Sequence, residues 1–291
     1  MITRTICIVA VLAAASFNAQ AQSRAVVIRN ATLVPVTAPH VERGTIVLRN
    51  GRIEALGANV SAPNDATVVD GTGLFVYPGL IDAGTNLGLT EIGSVPGGED
   101  TREIGDFNPQ NVILTAVNMH SELIPVTRVD GVTTAITNAE GGLVSGIAAL
   151  IDLAGWTPEE MAVAGRAALV VHFPTAAPQG FGGFGGGGRG QTSATERREQ
   201  MNRQVRQLYQ FFEDAKAYAD IRGRNMTGGR TPNVDQKFEA MMPFVRGELP
   251  VVFDASSADQ IRGVIAFADS LKLKPIIRGA RDGWQLADTL A

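Results

Sequence analysis

The stretch Tyr-Pro-Gly-Leu-Ile-Asp-Ala, residues 77–83, marks a change in the pattern of the chain. Before it, over residues 25–76, short β-forming runs alternate with turn signals. Asn50-Gly51 is the strongest of these signals, because both residues tolerate a positive φ. After it, short apolar runs alternate with helical patterns, which is typical of βα units in a parallel sheet. We therefore predict an α/β protein in which a small antiparallel β-unit precedes the main domain.

The main domain contains several short apolar runs that we predict to be strands. They cover residues 79–83, 132–137, 167–173, 250–253 and 275–277. Three helices are predicted at residues 108–127, 195–221 and 257–271, the last with Ser256 or Ser257 as its N-cap. The predicted domains are therefore the β-unit over residues 22–76 and the α/β domain over residues 77–291.

Composition limits the classes of function. Of the 291 residues, 45% are hydrophobic and 19% are charged, which is enough apolar material for a core and excludes wholesale disorder. The length is compatible with two domains or with one large α/β barrel. The net charge of -4 predicts no basic surface for nucleic acid.

The first 21 residues have the pattern of a secretory signal peptide. Arg4 precedes an apolar run over residues 6–17, and Ala19-Gln20-Ala21 forms a small-x-small cleavage site. The run is shorter than the roughly 20 residues of a membrane-spanning helix. We predict cleavage after Ala21 and export to the periplasm or beyond, with no membrane span. Cleavage would remove Cys7, the only cysteine, so the mature chain could form no disulfide.

Residues 180–190 are a low-complexity segment made mostly of glycine. A phosphate-binding loop would need a Gly-Lys-Ser/Thr ending between a strand and a helix, and that ending is missing. We predict that the segment is a flexible insertion on the surface of the main domain.

Residues 77–83, directly after a β-unit, resemble the entry to the barrel of the amidohydrolase superfamily, and in particular of its exported, imidazolonepropionase-like members. Further similar stretches are residues 130–134, 141–146, 249–252 and 282–288. The resemblance implies a small antiparallel β-sandwich portion over residues 22–76, followed by a TIM-like (β/α) barrel with the active site at the C-terminal ends of its strands. The chain ends after what looks like the helix of the sixth strand, so we expect an incomplete barrel and a C-terminally incomplete chain.

The resemblance also implies a metal site. In such enzymes one or two divalent ions, typically zinc, activate a water that attacks a carbon–nitrogen bond. The usual ligands are a His-x-His on the first strand, histidines on the fifth and sixth strands and an aspartate on the eighth. Here Gly84 and Asn86 stand in place of the His-x-His, and Asp254 and Arg278 stand at the two later positions. Arginine stays protonated and cannot be a ligand.

The number of histidines leads to the same expectation without any alignment. The chain has three, His40, His120 and His172, and only His172 ends a predicted barrel strand. A site with four histidines is therefore impossible within this chain. From the residues we predict no metal or other cofactor, and zinc is implied only by the resemblance.

A polar set follows the predicted strand ends and forms the candidate pocket: Asn86, Glu91, Asn138, Glu140, His172, Asp254 and Arg278. Three interpretations are open. Asp254 and Glu140 could be oxygen ligands of Mg²⁺ or Ca²⁺. His172 and a carboxylate could be an acid/base pair that works without metal, with His172 and Asp254 as the candidate catalytic residues. The site could instead be inactive, with Asp254 in an ion pair with Arg278.

The resemblance implies a hydrolase of non-peptide carbon–nitrogen bonds whose partner is a small-molecule substrate, a cyclic amide or a related molecule. The residues at the ligand positions indicate that the metal site is degenerate. The alternative is a metal-free periplasmic pseudoenzyme that binds a ligand or serves as a scaffold. Because the ligand positions are substituted, whether the chain is an enzyme stays open, and the sequence predicts no oligomeric state.

Overall fold

The computed structural model describes residues 24–92, 98–176, 193–223 and 233–290. The predicted signal peptide at residues 1–21 and the predicted insertion at residues 180–190 lie outside the described residues. The chain divides into two compact units, of which the first ends at Pro78 and the second begins at Gly79.

The first unit is a five-stranded sheet. Its strands are β1 (Val26–Leu33), β2 (Val41–Arg49), β3 (Arg52–Gly57), β4 (Thr67–Asp70) and β5 (Phe75–Val76). β1 pairs antiparallel with β2, which pairs antiparallel with β3, whereas β4 and β5 pair parallel with β1 on its other side. The prediction of a purely antiparallel unit is therefore wrong. The chain crosses back after β3 and enters beside β1 in the same direction, where Thr67 donates to the Ala25 carbonyl.

The hairpin between β2 and β3 turns at the predicted dipeptide. Asn50 has φ 52° and Gly51 has φ 69°. Two successive positive φ values give the turn a twist that matches the right-handed twist of the flanking strands. The prediction of a hairpin at this position is confirmed.

The second unit is built on a six-stranded sheet. Its strands are β6 (Leu80–Thr85), β7 (Val132–Thr137), β8 (Val144–Asp152), β9 (Ala162–His172), β10 (Val251–Ala255) and β11 (Pro275–Gly279), and they lie in this order across the sheet. β6 and β7 are parallel to each other, and so are β9, β10 and β11. β8 is antiparallel to both of its neighbours.

β8 corrects the prediction of a purely parallel sheet. Its residues are buried on both faces for most of its length, so the strand has none of the alternation that reveals a half-exposed strand. The segments before and after it are short. Parallel neighbours need a crossover of about a dozen residues or more, so short connections leave only antiparallel pairing. Asp254 and Arg278 lie on the fifth and sixth strands of the sheet when β8 is counted, and on the fourth and fifth of the mutually parallel strands when it is not.

The sheet curls until its two edges approach each other. Arg278 on β11 donates from Nη1 to Oδ1 of Asn138, the residue after β7, at 2.5 Å. β11 and β7 are four positions apart in the strand order. In a flat sheet they would be separated by roughly 19 Å, at about 4.8 Å per strand. The contact therefore requires a nearly closed, barrel-like sheet, and the chain is a mixed α/β protein.

Six α-helices occur among the described residues. They are α1 (Leu123–Val129), α2 (Pro158–Met161), α3 (Ala194–Gly223), α4 (Gln236–Val245), α5 (Ala258–Leu271) and α6 (Ala287–Leu290). The predicted helices at residues 195–221 and 257–271 correspond to α3 and α5. The predicted helix at residues 108–127 is wrong: a 3-10 turn at Ile113–Thr115 and α1 replace it. None of the helices in the described segments is long and apolar enough to cross a membrane.

α3, α4 and α5 cover the outer face of the curled sheet. Phe253 of β10 packs edge-on against Phe267 of α5 at 5.8 Å between ring centroids, and Phe212 of α3 meets the same ring at 5.2 Å. All three rings are fully buried. Ser257 and Gln260 form a capping box that fixes the start of α5, as the sequence predicted for Ser257. Since Phe253 faces the helices, its neighbour Asp254 faces the inside of the curl.

Candidate active site at the strand ends

Four side chains form one hydrogen-bonded group at the ends of the strands: Asn138, His172, Asp254 and Arg278. We call them the strand-end cluster. Register explains why three of them meet: β10 pairs Asp254 with His172 on one side and with Arg278 on the other. Residues paired in register point to the same face of a sheet. All three therefore face the inside of the curl.

Asp254 is the centre of the strand-end cluster. Its Oδ2 lies 2.8 Å from Nδ1 of His172 and 2.7 Å from Nη2 of Arg278, and its Oδ1 accepts from Nε of Arg278 at 2.5 Å. Burial raises the pKa of the Asp254 carboxyl. The hydrogen bonds from His172 and Arg278, with the positive charge of Arg278, outweigh burial and lower the pKa from 3.8 to about 2. Asp254 is therefore a carboxylate at any physiological pH.

Arg278 connects the two edges of the sheet. Its Nε and Nη2 hold both oxygens of Asp254 in a bidentate pair, and its Nη1 holds the buried Asn138. Three of its five N–H groups are used in this way, and two remain for another acceptor. Its side chain is 26% exposed, so it is not fully enclosed by the protein.

His172 has one paired and one unpaired ring nitrogen. Because Asp254 is ionised, it accepts a hydrogen bond from Nδ1 of His172, which leaves Nε2 as the other ring nitrogen. Nε2 is shielded from solvent and has no hydrogen-bond partner in the described part of the chain. The backbone N–H of His172 donates to the carbonyl of Leu143 on β8 at 2.9 Å, which fixes the strand end.

The other three predicted pocket residues do not join the strand-end cluster. Asn86 donates to Oγ1 of Thr90 at 3.4 Å. Glu91 accepts from Asn118 and Ser121 at 2.9 and 3.0 Å. Glu140 is exposed, and it pairs with Thr101 only through its backbone. The predicted set therefore divides into a connected group on the strands and separate residues in the loops.

The donors present do not fit a divalent metal. Within residues 24–92, 98–176, 193–223 and 233–290, no three His, Cys, Asp or Glu side chains are grouped as metal ligands would be. Both oxygens of Asp254 are already bound to a permanent cation, which leaves a single imidazole nitrogen. The predicted oxygen pair of Asp254 and Glu140 is not brought together, because Glu140 is exposed in its loop.

A cavity of about 580 Å³, which the sequence analysis did not predict, lies on the outer face of the sheet. It lies between α3 and α5, beside the segment that follows β9. Phe173 and Tyr209 form aromatic parts of its wall. Gly263 of α5 allows the Phe173 ring to pack closely against the helix, since a Cβ there would lie 2.7 Å from that ring. Small residues in α5 were the only available signal. Because Phe173 alternates with His172 along the strand, this cavity and the strand-end cluster are on opposite faces.

Comparison with known proteins gives short sequence matches and longer structural matches. No family model matches the chain. It is 36% identical to a dihydropyrimidinase of Arabidopsis thaliana over 85 residues, covering 29% of this chain and 14% of that protein. It is 40% identical to an imidazolonepropionase of Klebsiella pneumoniae over 74 residues, covering 23% of this chain and 18% of that protein.

One structural match is to the crystal structure of an amidohydrolase from Thermotoga maritima. Its TM-score is 0.77 at 24% identity, and it covers 91% of this chain and 67% of that one. This likeness shows a shared fold. The fold and the two short sequence matches support the resemblance of the chain to the amidohydrolase superfamily.

Proposed function

We propose that the protein hydrolyses a non-peptide carbon–nitrogen bond in a small cyclic amide, with His172 as a general base that works without a metal. Two relatives support the substrate class, since both are named for compounds with a nitrogen-containing ring. The matched segments cover less than a fifth of either relative. The proposed class of reaction therefore rests on the resemblance to the superfamily, and the proposed mechanism rests on the residues of this chain.

The pair of His172 and Asp254 is the observation that carries the proposal. Asp254 holds the ring through Nδ1 and leaves Nε2 as a lone pair without a partner. An imidazole oriented by a carboxylate is an effective general base near neutral pH. Nε2 takes a proton from water while the water oxygen bonds to the amide carbon. The imidazolium then returns that proton to the leaving nitrogen as the carbon–nitrogen bond breaks.

Arg278 supports the same chemistry from the other side of Asp254. It keeps Asp254 ionised, which fixes the hydrogen on Nδ1. Its two remaining N–H donors can bind the carbonyl oxygen, whose negative charge grows as water adds. The strand-end cluster therefore supplies a base and an electrophile from the residues of this chain alone.

The test measures ring opening of five- and six-membered cyclic amides and imides, including dihydrouracil and hydantoin, by the purified full chain. We expect turnover that survives EDTA and falls by about 10²–10⁴-fold in His172→Gln. His120→Gln is the matched control, because His120 is exposed and lies outside the strand-end cluster. Equal rates in the wild type and His172→Gln, or turnover abolished by EDTA, would refute the proposal.

A second candidate function is ligand binding without catalysis. The observation in its favour is that Nε2 of His172 is shielded from solvent, so a water has no direct approach to the base. Under this alternative, calorimetry detects binding of the same cyclic amides while none of them is opened. Binding that is lost in Arg278→Gln would assign the recognition to the strand-end cluster.

We also propose that the protein is exported and acts on a small molecule outside the cytoplasm. The N-terminal pattern of Arg4, an apolar run and Ala19-Gln20-Ala21 supports export. N-terminal sequencing of the protein from a periplasmic fraction should begin at Gln22. A chain that keeps Met1 and stays with the cytoplasmic fraction would contradict export.

A further inference from the structure

We propose that Arg278 is the resident cation of the strand-end cluster and takes the place of a divalent metal, and that Gly84 lacks a side chain in order to admit it. The two residues would then be one feature. This inference concerns how the site is filled, and it holds whether the site hydrolyses its ligand or only binds it.

The contacts of Arg278 supply what a bound cation would supply. Its guanidinium neutralises Asp254 through two hydrogen bonds and holds Asn138 through a third. These residues come from two separated parts of the sheet, so the guanidinium links strand ends as a shared metal ion does. It is also permanently charged, because arginine does not lose its proton in proteins.

Gly84 on β6 lies directly against this guanidinium. A Cβ built on Gly84 would be 2.9 Å from both Cδ and Nη1 of Arg278. The Arg278 side chain would have to shift, and its hydrogen bonds to Asp254 and Asn138 oppose that shift. The glycine is not required by the backbone, since its φ is outside the positive region that favours glycine. The Gly84 N–H donates to Oδ1 of Asp82 at 3.0 Å, a hydrogen bond that any residue except proline could make at this position. Space for Arg278 is therefore the reason for glycine at this position.

The same contacts explain why a divalent ion is excluded. An ion at Asp254 would have to displace Arg278 from both carboxylate oxygens or approach its positive charge at close range. No other described carboxylate joins the cluster to compensate for the added charge. The positions that the sequence resemblance assigned to metal ligands at residues 84 and 278 thus hold a glycine and an arginine that fit each other.

A double-mutant cycle tests the link between the two residues. We expect Gly84→Ala to lower the Tm of the full chain by about 5 °C or more, and by less than about 2 °C when Arg278 is replaced by Met. Arg278→Gln, which keeps a donor for Asp254, serves as a second background if Arg278→Met fails to fold. Gly57→Ala is the matched control, because its new Cβ would meet only Val60, at 3.5 Å. Equal losses in both backgrounds would overturn the link.

Calorimetric titration of chelator-treated, untagged protein with ZnCl₂ and MnCl₂ tests the exclusion of metal. We expect the wild type and His172→Ala to give the same weak heats. About one equivalent of tightly bound metal in the wild type, lost in His172→Ala, would overturn the proposal. Neither experiment measures turnover, so a failure here is distinct from a failure of the proposed hydrolase activity.

Discussion

The ends of β9, β10 and β11 and the loop that follows β6 both carry predicted site residues, but these residues find partners in different ways. On the three strands, register alone places His172, Asp254 and Arg278 side by side. In the loop, Asn86 pairs with Thr90 four residues along the chain, and Glu91 pairs with residues just before α1. Pairing between strands therefore places residues that are distant in sequence next to each other. In a loop, the partners of a side chain are determined by the path of the loop itself.

The carboxylate at the strand ends and the carboxylate in the loop also differ in the charge of their partners. Asp254 lies against a permanent cation and has a pKa lowered to about 2. Glu91 accepts its hydrogen bonds from a neutral amide and a hydroxyl. Removing a charge should therefore have a large effect at the strand ends and a small effect in the loop.

Asp254→Ala should give the largest effect. It leaves the charge of Arg278 and the ring of His172 without their shared partner. We expect a loss of about 2–4 kcal/mol in the free energy of unfolding, below the value for a fully buried pair because these side chains are about a quarter exposed. Urea unfolding measures it, with the exposed Glu213→Ala of α3 as the control. A loss no larger than that of the control would remove the distinction between the two regions.

Acid should weaken the strand-end cluster next. The pKa of Asp254 is lowered on folding, so its contribution to stability is complete above the unfolded value of 3.8 and is lost as the pH falls toward about 2. At about 1.4 kcal/mol per pKa unit, the loss is about 2 kcal/mol. Unfolding measured between pH 5 and pH 2 should show this slope in the wild type and lack it in Asp254→Asn. Parallel slopes would show that Asp254 is not held ionised by its neighbours.

Glu91→Gln in the loop should have the smallest effect. Its two hydrogen bonds are partly exposed and a glutamine oxygen can still accept one, so we expect a loss of about 0.5–1 kcal/mol. Glu140→Gln should stay within about 0.5 kcal/mol of the wild type, since Glu140 is exposed. Thermal unfolding resolves both. A loss at Glu91 equal to that at Asp254 would show that loop residues are as strongly coupled as the strand ends.

Local patterns predicted much of the second unit. Short apolar runs indicated β6, β7, β9, β10 and β11, and helical spacing with a serine cap indicated α5. The same reasoning failed for β8, which is buried on both faces and has no alternation to detect. It also failed for residues 108–127, where apolar spacing suggested one helix and the chain forms a turn and a short helix.

The candidate site could be predicted only in part for a related reason. His172, Asp254 and Arg278 follow strand runs, so placing them at strand ends required no more than the strand assignment. The loop residues Glu91 and Glu140 required the path of the chain. The closeness of Gly84 to Arg278 required the curvature of the whole sheet, which no local pattern contains.

The antiparallel strand β8 has a consequence for the order of folding. β8 and β9 are neighbours in sequence and form a hairpin that closes a short loop. β9 and β10, by contrast, pair across a long segment that contains α3 and α4, and closing longer loops costs more entropy and slows folding. We expect the hairpin to form early, so that β7 pairs with β8 and β10 pairs with β9 after those two strands are already in place. The half of the strand-end cluster on β10 and β11 then assembles last, once α3, α4 and α5 have packed.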